Sequence, residues 1–258
     1  MEIRIVLAPV GGRAQLLAAV RAGADAVYLG ARGFNARRNA DNFEENALRE
    51  AVDYCHERNV LVFVTLNTLV MDEELPALTS ELDDIASAGA DALIVQDLGV
   101  ARLARERYPK LKLFASTQTT VHNAEGTKLL ARLGFSQVVL ARELSLAEIK
   151  VVSEASPIKL ECFVHGALCM SMSGSCYLSA MLGGRSGNRG LCAQPCRLNF
   201  RLGRKEHALS LKDMSLLSHM EGLSCAGVNA LKIEGRMKRP EYVAAAVTAC
   251  KAALRGET

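Results

Sequence analysis

Four of the eight cysteines lie in one short segment, at Cys169, Cys176, Cys192 and Cys196. Thiolates bind metal ions and iron–sulfur clusters, act as nucleophiles and form disulfides, so this segment is the first candidate for chemistry. Their successive spacings of seven, sixteen and four residues contain only one close pair, whereas zinc sites usually use two. Four thiolates around an iron–sulfur cluster tolerate irregular spacing. The pattern therefore favours a cluster, with zinc, a catalytic thiol and a disulfide as alternatives.

Glycine, serine and arginine residues fill the gaps between these cysteines. Glycine and serine let the backbone fold tightly around a cluster and offer N–H groups to its sulfur atoms. Arg185, Arg189 and Arg197 would offset the charge of four thiolates, and the first two are also candidates to bind an anionic substrate. The remaining cysteines are predicted to be buried small hydrophobic residues, at Cys55, Cys162, Cys225 and Cys250.

A repeated pattern indicates the elements that position the cysteine segment. It reads AGADAVYLGARG at 22–33, AGADALIVQDLG at 88–99, LGFSQVVLAREL at 133–144 and AGVNALKIEGRM at 226–237. Each copy has a glycine suited to end a helix, then a continuous apolar run typical of a strand buried on both faces. Extended along the chain, the pattern predicts eight strand–helix units. Their strands are expected near Ile3–Ala8, Ala26–Leu29, Leu61–Leu66, Ala92–Val95, Leu111–Ala115, Gln137–Leu140, Lys159–Val164 and Ala230–Ile233.

Eight consecutive units in 258 residues predict an α/β fold, a single TIM-type (β/α)8 barrel domain over residues 1–258. An open doubly wound sheet is the alternative. The cysteines then belong to a Cys/Gly-rich insertion over residues 166–207, directly after the seventh strand. In a barrel, this position lies at the carboxyl ends of the strands, where active sites are built.

Polar residues follow most of the predicted strands and would ring the same face. The candidates for catalysis are Arg142, Glu143, His165, Glu234 and Arg236. The candidates for substrate binding are Asn35, Arg37, Asn67 and Gln118, together with Arg185 and Arg189. Solvation alone explains why many loop residues are polar. It explains less well why the Arg–Glu pairs at 142–143 and 234–236 occupy equivalent positions of two repeats. Such pairs would clamp a small dianionic substrate, such as a dicarboxylate.

The composition sets a general class without naming a partner. Half of the residues are apolar, and the net charge of +3 comes from dispersed basic residues, which neither announces nor excludes nucleic-acid binding. No apolar run approaches the ~18 residues of a membrane helix, and the start lacks the pattern of a secretory leader. We therefore expect a cytoplasmic protein without membrane contact, in which thiols stay reduced.

The segment ECFVHGALCMSMSGSCYLSAMLGGRSGNRGLCAQPCR, followed by SLKDMSLL and ALKIEGRMKRPEYV, closely resembles the signature of the U-32 peptidase family, or collagenase-like proteases. The segments LAPVGG, FNARR and VTLNTLV resemble the amino-terminal part of that family, so the resemblance spans nearly the whole chain. It implies a barrel-type α/β core. Many RNA-modifying members continue into further carboxyl-terminal domains, which we expect to be absent here.

The resemblance implies two kinds of activity. Some members are described as proteases, whereas others are oxygen-independent hydroxylases that bind a 4Fe–4S cluster and modify RNA bases or a quinone precursor. The RNA-modifying members are linked to prephenate as the source of the hydroxyl group. By motif position the cluster ligands would be Cys169, Cys176, Cys192 and Cys196, and the last is open because some relatives take a fourth ligand from elsewhere. The leading hypothesis is therefore an iron–sulfur enzyme that hydroxylates a base in tRNA or rRNA and takes a dicarboxylate co-substrate.

A peptidase is the alternative hypothesis. His165 precedes Cys169 by four residues, and Ser171, Ser173 and Ser179 lie close in the sequence, so a Cys–His or Ser–His pair can be envisaged. No third, orienting group stands at a recognisable position. A third hypothesis is a non-catalytic protein with a structural cluster, which works with a protein partner or as a homo-oligomer. Zinc, or no metal after isolation in air, is the alternative to the cluster.

Overall fold

The computed structural model describes residue 3 and residues 5–38, 40–173 and 175–257. Its strands are β1 (Ile5–Pro9), β2 (Ala26–Gly30), β3 (Leu61–Leu66), β4 (Ala92–Val95), β5 (Lys112–Ala115), β6 (Gln137–Val139), β7 (Lys159–Gly166), β8 (Met214–Ser215) and β9 (Ala230–Ile233). Its α-helices are α1 (Arg13–Arg21), α2 (Glu45–His56), α3 (Leu75–Ser87), α4 (Leu98–Arg107), α5 (Ala124–Arg132), α6 (Leu146–Ala155), α7 (Leu178–Gly183), α8 (Met220–Cys225) and α9 (Pro240–Leu254).

Eight of these strands close into a parallel barrel. The order around it is β1 to β7, then β9, which pairs with both β7 and β1. The pairing of β6 with β7, at Gln137 with Lys159, completes the ring. An open doubly wound sheet would leave two edges unpaired, so the predicted TIM-type barrel is confirmed. The short strand β8 lies outside the ring, where Ser215 pairs antiparallel with His165 of β7.

The repeated sequence pattern sets the register between neighbouring strands. Its glycines adopt positive φ just after a helix, with 88° at Gly23 and 85° at Gly89. Two residues later, a side chain accepts a backbone N–H of the neighbouring strand. Asp25 Oδ2 accepts from Val6 at 2.8 Å, and Asp91 Oδ2 accepts likewise from β3 at 2.8 Å. One local motif therefore ends each helix and aligns the strand that follows it.

Apolar residues form two cores. The larger lies between the barrel and its surrounding helices. The smaller fills the barrel interior, where Phe63 and Phe114 meet edge to face with ring centroids 4.9 Å apart. A filled interior leaves the open end of the barrel, at the carboxyl ends of its strands, as the place for a ligand. We call this end the barrel mouth.

Several local expectations differ from the structure. β1 runs over Ile5–Pro9 rather than Ile3–Ala8, and β7 continues to Gly166, so His165 lies within a strand. Cys55, Cys162 and Cys250 are buried as predicted, and burial raises their pKa values to about 12, 12 and 11. The prediction for Cys225 is wrong, because this residue ends α8 and is exposed.

The predicted insertion over residues 166–207 lies between β7 and β8 and carries the four clustered cysteines. Because β7 continues to Gly166 and β8 begins at Met214, we use the name insertion for residues 167–212 from here on. It contains α7, two short 3-10 turns at Gly187–Arg189 and Pro195–Arg197, and a hairpin-like turn at Leu202 and Lys205. Among the helices that the structure describes, none combines the length and the apolar character needed to cross a bilayer.

Candidate active site

An ion pair between two loops lies at the barrel mouth. Arg37 follows β2 and Glu234 follows β9, and Arg37 Nη2 donates to Glu234 Oε1 at 2.7 Å. β2 and β9 both flank β1, so the loops after them meet above its end. Burial alone would raise the pKa of Glu234, but Arg37, Arg236 and Arg142 together hold that pKa below its ordinary value. Glu234 is therefore ionised at neutral pH, and its direct partner is Arg37 rather than the nearby Arg236.

Arg236 lies buried close to this pair. Only 3% of its surface is exposed, and its Nη1 donates to Thr65 Oγ1 at 3.0 Å. Burial, followed by the charge of Arg37, lowers the pKa of Arg236 to about 10, which keeps the guanidinium charged at neutral pH. Across residues 5–38, 40–173 and 175–257, no carboxylate hydrogen-bonds to this group, although Glu234 acts on it at longer range. A buried cation without a direct counter-charge is costly and provides a site for an anion.

Arg142 and Glu143 follow β6 and hold the insertion through Ser173, which is fully buried. Arg142 Nε donates to Ser173 Oγ at 3.4 Å, and the Ser173 N–H donates to Glu143 Oε1 at 3.0 Å. Thr120, after β5, donates from its hydroxyl to the Ser173 carbonyl at 2.7 Å. The guanidinium of Arg142 also lies 5.8 Å from the ring centroid of Phe163. Arg142 thus lies between the insertion and the mouth, close enough for its charge to act on the ion pair there.

Three amide side chains predicted to bind substrate lie at the same end of the barrel. Asn35 is fully buried, and its Oδ1 accepts the Arg37 N–H at 3.0 Å. Asn67 Oδ1 accepts the Ala36 N–H at 2.9 Å. These two amides shape the loop that carries Arg37. Gln118 differs, because its side-chain oxygen is buried and has no hydrogen-bond partner within the described residues. That oxygen is available to accept a hydrogen bond from a ligand.

The clustered cysteines are neighbours in space as well as in sequence. Cys169 and Cys192 are exposed, whereas Cys176 and Cys196 are partly exposed. Burial raises the pKa of Cys196, Arg197 opposes that change, and the other three thiols each raise it further. The four sulfur groups are therefore close enough to interact electrostatically.

The chemistry of these donors fits a four-thiolate cluster. The Gln194 N–H donates to Cys192 Sγ at 3.3 Å, the kind of backbone contact that stabilises a ligating thiolate. Among the described side chains, no group of three or more histidine, cysteine, aspartate and glutamate residues is arranged to hold a metal ion.

The insertion adjoins the ion pair at the mouth. Gly190 has a φ of 73°, and a Cβ at this position would come within 2.3 Å of the Asn35 carbonyl oxygen, so only glycine fits. This close approach places the insertion against the loop that carries Arg37. Glu234 chiefly, and Cys192 to a smaller extent, raise the pKa of Arg37. The thiol of Cys192 therefore lies within electrostatic range of Arg37 at the barrel mouth.

The two other arginines predicted to bind substrate make contacts within the protein. Arg189 Nη1 donates to Glu74 Oε2 at 2.7 Å, and the same guanidinium also bonds Glu74 Oε1 and the Leu69 carbonyl. Arg185 Nε donates to the Leu191 carbonyl at 3.0 Å. Arg189 fastens the insertion to the start of α3, and substrate binding by either residue stays a prediction.

His165 contacts a tyrosine instead of a nucleophile. Its Nδ1 is 3.0 Å from the Tyr242 hydroxyl, which itself donates to the Glu234 carbonyl at 3.1 Å. Burial lowers the pKa of His165, and Asp213 partly opposes this. Within the part of the chain that is described, no cysteine or serine side chain hydrogen-bonds to His165, so the envisaged Cys–His or Ser–His pair is not formed. Catalysis by His165 stays a prediction.

A charged group inside the barrel was not anticipated from the sequence. Lys232 Nζ donates to Glu161 Oε1 at 2.9 Å, both side chains are buried, and Gln137 bonds the other Glu161 oxygen. Lys232 Nζ also lies 4.3 Å from the ring centroid of Tyr28, whose hydroxyl donates to the Ile233 carbonyl at 2.8 Å. The sequence does contain a signal for this pair, because each of the apolar runs ALKI and KLECFV includes a charged residue. Those two residues lie inside the strands, whereas the predicted site residues lie at the strand ends.

Comparison with known proteins gives a match over most of the chain. Residues 11–256 match the model of peptidase family U32. The chain is 43% identical over 246 residues to the 23S rRNA 5-hydroxycytidine C2501 synthase of Escherichia coli, covering 92% of this chain and 37% of that protein. It is 36% identical to the collagenase of Porphyromonas gingivalis, covering 92% and 62%, and 34% identical to the tRNA hydroxylation protein P1 of Bacillus subtilis, covering 94% and 61%. The chain thus spans 37 to 62% of the length of these relatives.

Solved structures share the barrel. The U32 peptidase Mk0906 superposes with a TM-score of 0.62 at 16% identity, covering 91% of this chain and 93% of that one. Monomers of phosphoribosylanthranilate isomerase from Thermotoga maritima superpose with a TM-score of 0.55 at 11% identity, covering 98% and 99%. At these identities the likeness concerns the fold alone.

Proposed function

The chain belongs to peptidase family U32, and from that membership we propose that it is an iron–sulfur-dependent hydroxylase that modifies an RNA base without using O2. Two relatives are named for RNA hydroxylation, one acting on 23S rRNA and one on tRNA. The observation that carries the proposal is the contact between the insertion with its four cysteines and an arginine-lined barrel mouth. Thiols for a redox cofactor and cations for an anionic co-substrate then adjoin one another.

In this proposal the arginines bind the co-substrate. Arg236 is charged and buried, and no carboxylate of the described residues hydrogen-bonds to it, so it would bind one carboxylate of a dianion such as prephenate. Arg142 would bind the second carboxylate from the insertion side, since its charge already acts on Glu234. Arg37 is paired with Glu234, so Arg236 and Arg142 would be the two arginines left to bind the co-substrate.

The base would enter the same mouth after leaving its stack, because an enzyme cannot reach a ring carbon inside stacked RNA. The buried, unpartnered oxygen of Gln118 would accept a hydrogen bond from an amino or imino group of the base. Replacing a ring C–H by C–OH adds one oxygen atom and removes two electrons from the base. The co-substrate would supply the oxygen and accept the two electrons, which is why O2 is not needed.

The cluster would be held by Cys169, Cys176, Cys192 and Cys196. When bound, a 4Fe–4S cluster supplies one-electron transfer or a coordination site for the oxygen donor. The protein's own part is to exclude water and to orient both reactants through the arginines and Gln118. Reduced thiols and an RNA substrate both imply action in the cytoplasm.

Anaerobic purification followed by iron and sulfide assay tests the cofactor. The loaded protein is then incubated with unmodified tRNA and rRNA transcripts and prephenate, and digested nucleosides are analysed by mass spectrometry for one added oxygen atom. Cys169→Ala should lose both iron and product. Cys225→Ala is the matched control, because this cysteine is exposed but lies outside the insertion, and should retain both. Protein without iron, although all four loop thiols are intact, would refute the proposal.

A peptidase is the second candidate, because one relative is named a collagenase. The contact between His165 and Tyr242 counts against it, since no described cysteine or serine side chain hydrogen-bonds to the histidine. Cleavage of gelatin by iron-free protein, abolished by Cys169→Ser, would reverse the order of the two candidates.

A further inference from the structure

An exposed hairpin follows the cysteines directly. All residues from 198 to 207 are exposed. Leu202 and Lys205 exchange two backbone hydrogen bonds of 3.0 Å, and Gly203, the first central residue of the turn, has a φ of 58°. The Ala208 N–H donates to the Phe200 carbonyl at 2.8 Å, which extends the pairing. We call this segment the 198–207 hairpin.

The base of the hairpin is anchored beside the cysteine cluster. Arg197 Nη2 donates to the Leu168 carbonyl at 2.8 Å, and its Nη1 donates to Ser210 Oγ at 2.9 Å. Leu168 immediately precedes Cys169, and Arg197 immediately follows Cys196. A macromolecule whose reacting group enters the barrel mouth would therefore meet the hairpin next to the mouth.

The apolar side chains of the hairpin have no role in either core. Leu202 at the tip is 74% exposed, Leu198 is 61% exposed and Phe200 is 37% exposed. None of them belongs to the apolar clusters that fill the barrel or lie beneath its helices. Side chains of this kind beside a catalytic opening are typical of a surface that another molecule covers.

The charges of the hairpin indicate what kind of molecule would cover it. Three cations, Arg201, Arg204 and Lys205, stand against one carboxylate, Glu206. The ion pair between Arg201 and Glu206 has both side chains more than half exposed, so it exchanges readily for another anion. Alternating cations and apolar groups match a polyanion that also presents flat apolar faces, which is the chemistry of RNA with unstacked bases.

We infer that the 198–207 hairpin is an RNA-binding wedge, an inference that rests on the proposed RNA hydroxylase function. Arg204 and Lys205 contact phosphates on either side of the target nucleotide. Leu202 fills the space that the target base vacates when it turns into the barrel mouth, as apolar side chains do between unstacked bases in other complexes. The wedge makes withdrawal of the base less costly, so it acts on binding and base unstacking rather than on the chemical step.

Two variants separate the two parts of this role. The probe is a fluorescein-labelled RNA stem–loop with a pyrimidine-rich loop, and a second copy carries 2-aminopurine beside the loop pyrimidines. Arg204→Gln with Lys205→Gln should weaken binding about 10- to 30-fold at 0.1 M salt and lower the slope of log affinity against log salt by about 1.4. Leu202→Ala should weaken binding about tenfold, leave that slope unchanged and abolish the rise in 2-aminopurine fluorescence.

Matched controls come from the opposite end of the barrel. Arg21→Gln with Lys110→Gln removes two exposed cations there, and Leu133→Ala truncates a leucine that is 38% exposed there. These controls should bind RNA like the unaltered protein. All of the changed side chains are exposed, so each variant should keep the same thermal midpoint.

The results distinguish failure of the wedge from failure of the proposed hydroxylase function. If the unaltered protein binds the RNA and the hairpin variants bind equally well, the wedge is wrong and the hydroxylase proposal stands. If the unaltered protein binds no RNA, both are wrong. If Leu202→Ala abolishes self-association but leaves RNA affinity unchanged, the hairpin is a contact between copies and the wedge is again wrong.

Discussion

The substitution Arg236→Met should stabilise the protein while it destroys anion binding. Methionine has a similar length and no charge, and the site is almost closed to solvent, with 3% of Arg236 exposed. Most substitutions of buried residues destabilise a protein. An increase in stability would therefore be diagnostic of a cation retained for function at a cost to folding.

The magnitude follows from the pKa of Arg236, which burial, followed by the charge of Arg37, lowers to about 10. At about 1.4 kcal/mol per pKa unit, the charged guanidinium costs about 3 kcal/mol in the folded state. The attraction to Glu234 is already included in that pKa, and loss of the hydrogen bond to Thr65 would offset about 1 kcal/mol. The net expectation is that the free energy of unfolding rises by about 2 kcal/mol.

The pH dependence has a definite sign. The unfolded chain holds the proton of Arg236 more tightly than the folded chain, so the cost is fully present at every pH below about 10 and is relieved only as the pH rises through that value. The gain from Arg236→Met should therefore be the same at pH 6 and pH 8, a pair of conditions that brackets neutrality.

Urea unfolding followed by circular dichroism measures the stability, and calorimetric titration with prephenate measures the binding. Arg37→Met is the matched control, because it removes the direct partner of Glu234 and should lower the free energy of unfolding by about 1–3 kcal/mol. Both variants should weaken dicarboxylate binding, with a loss of about 100-fold for Arg236→Met. A loss of stability in Arg236→Met comparable to that of Arg37→Met, or unchanged binding of the dicarboxylate, would refute the reasoning.

Three further predictions concern other parts of the barrel. Lys232→Met should lower the free energy of unfolding by about 3–5 kcal/mol, because it leaves Glu161 buried without its cation. Adding Glu161→Gln to this variant should restore most of that loss. If urea unfolding shows that the double variant loses the sum of the two single-variant losses, the prediction is wrong. Burial raises the pKa of Glu81 to about 7, so the folded state holds its proton more tightly and stability falls as the pH rises from about 4.5 to about 7. Glu81→Gln should flatten that decline and gain about 2 kcal/mol above pH 7, and parallel pH profiles in urea unfolding would refute it. Arg189→Ala should release the insertion from the start of α3 and speed amide exchange at Leu69, whose N–H donates to the insertion; unchanged exchange by mass spectrometry would show that the ion pair is dispensable.

Local sequence predicts most of the strands of the barrel. The predicted strands Leu61–Leu66, Ala92–Val95 and Ala230–Ile233 agree with the structure at both ends. These strands are predictable because a strand buried on both faces is a continuous apolar run. A glycine or asparagine with positive φ, at Asn59, Gly89 or Gly227, also marks where the preceding helix ends. The position of the cysteines after the seventh strand follows from the same counting.

Local sequence does not predict which charged side chains pair with each other. The sequence suggested Glu234 with Arg236, two residues away, whereas the structure pairs Glu234 with Arg37 across 197 residues. It suggested polar groups only at strand ends, whereas Lys232 and Glu161 meet inside the barrel. Cys225 has an apolar sequence setting like that of Cys250, yet only the latter is buried.

The sequence by itself therefore determined the strands, the helices and the family, because each depends on residues that are close together along the chain. The tertiary structure alone decided that the ring closes between β6 and β7 and that the cysteine insertion lies against the Arg37 loop. It also decided that Arg236 is buried with no carboxylate hydrogen-bonded to it among the described residues. Burial and electrostatic interaction depend on distances in space. Those distances are set only when strands far apart in the sequence have paired.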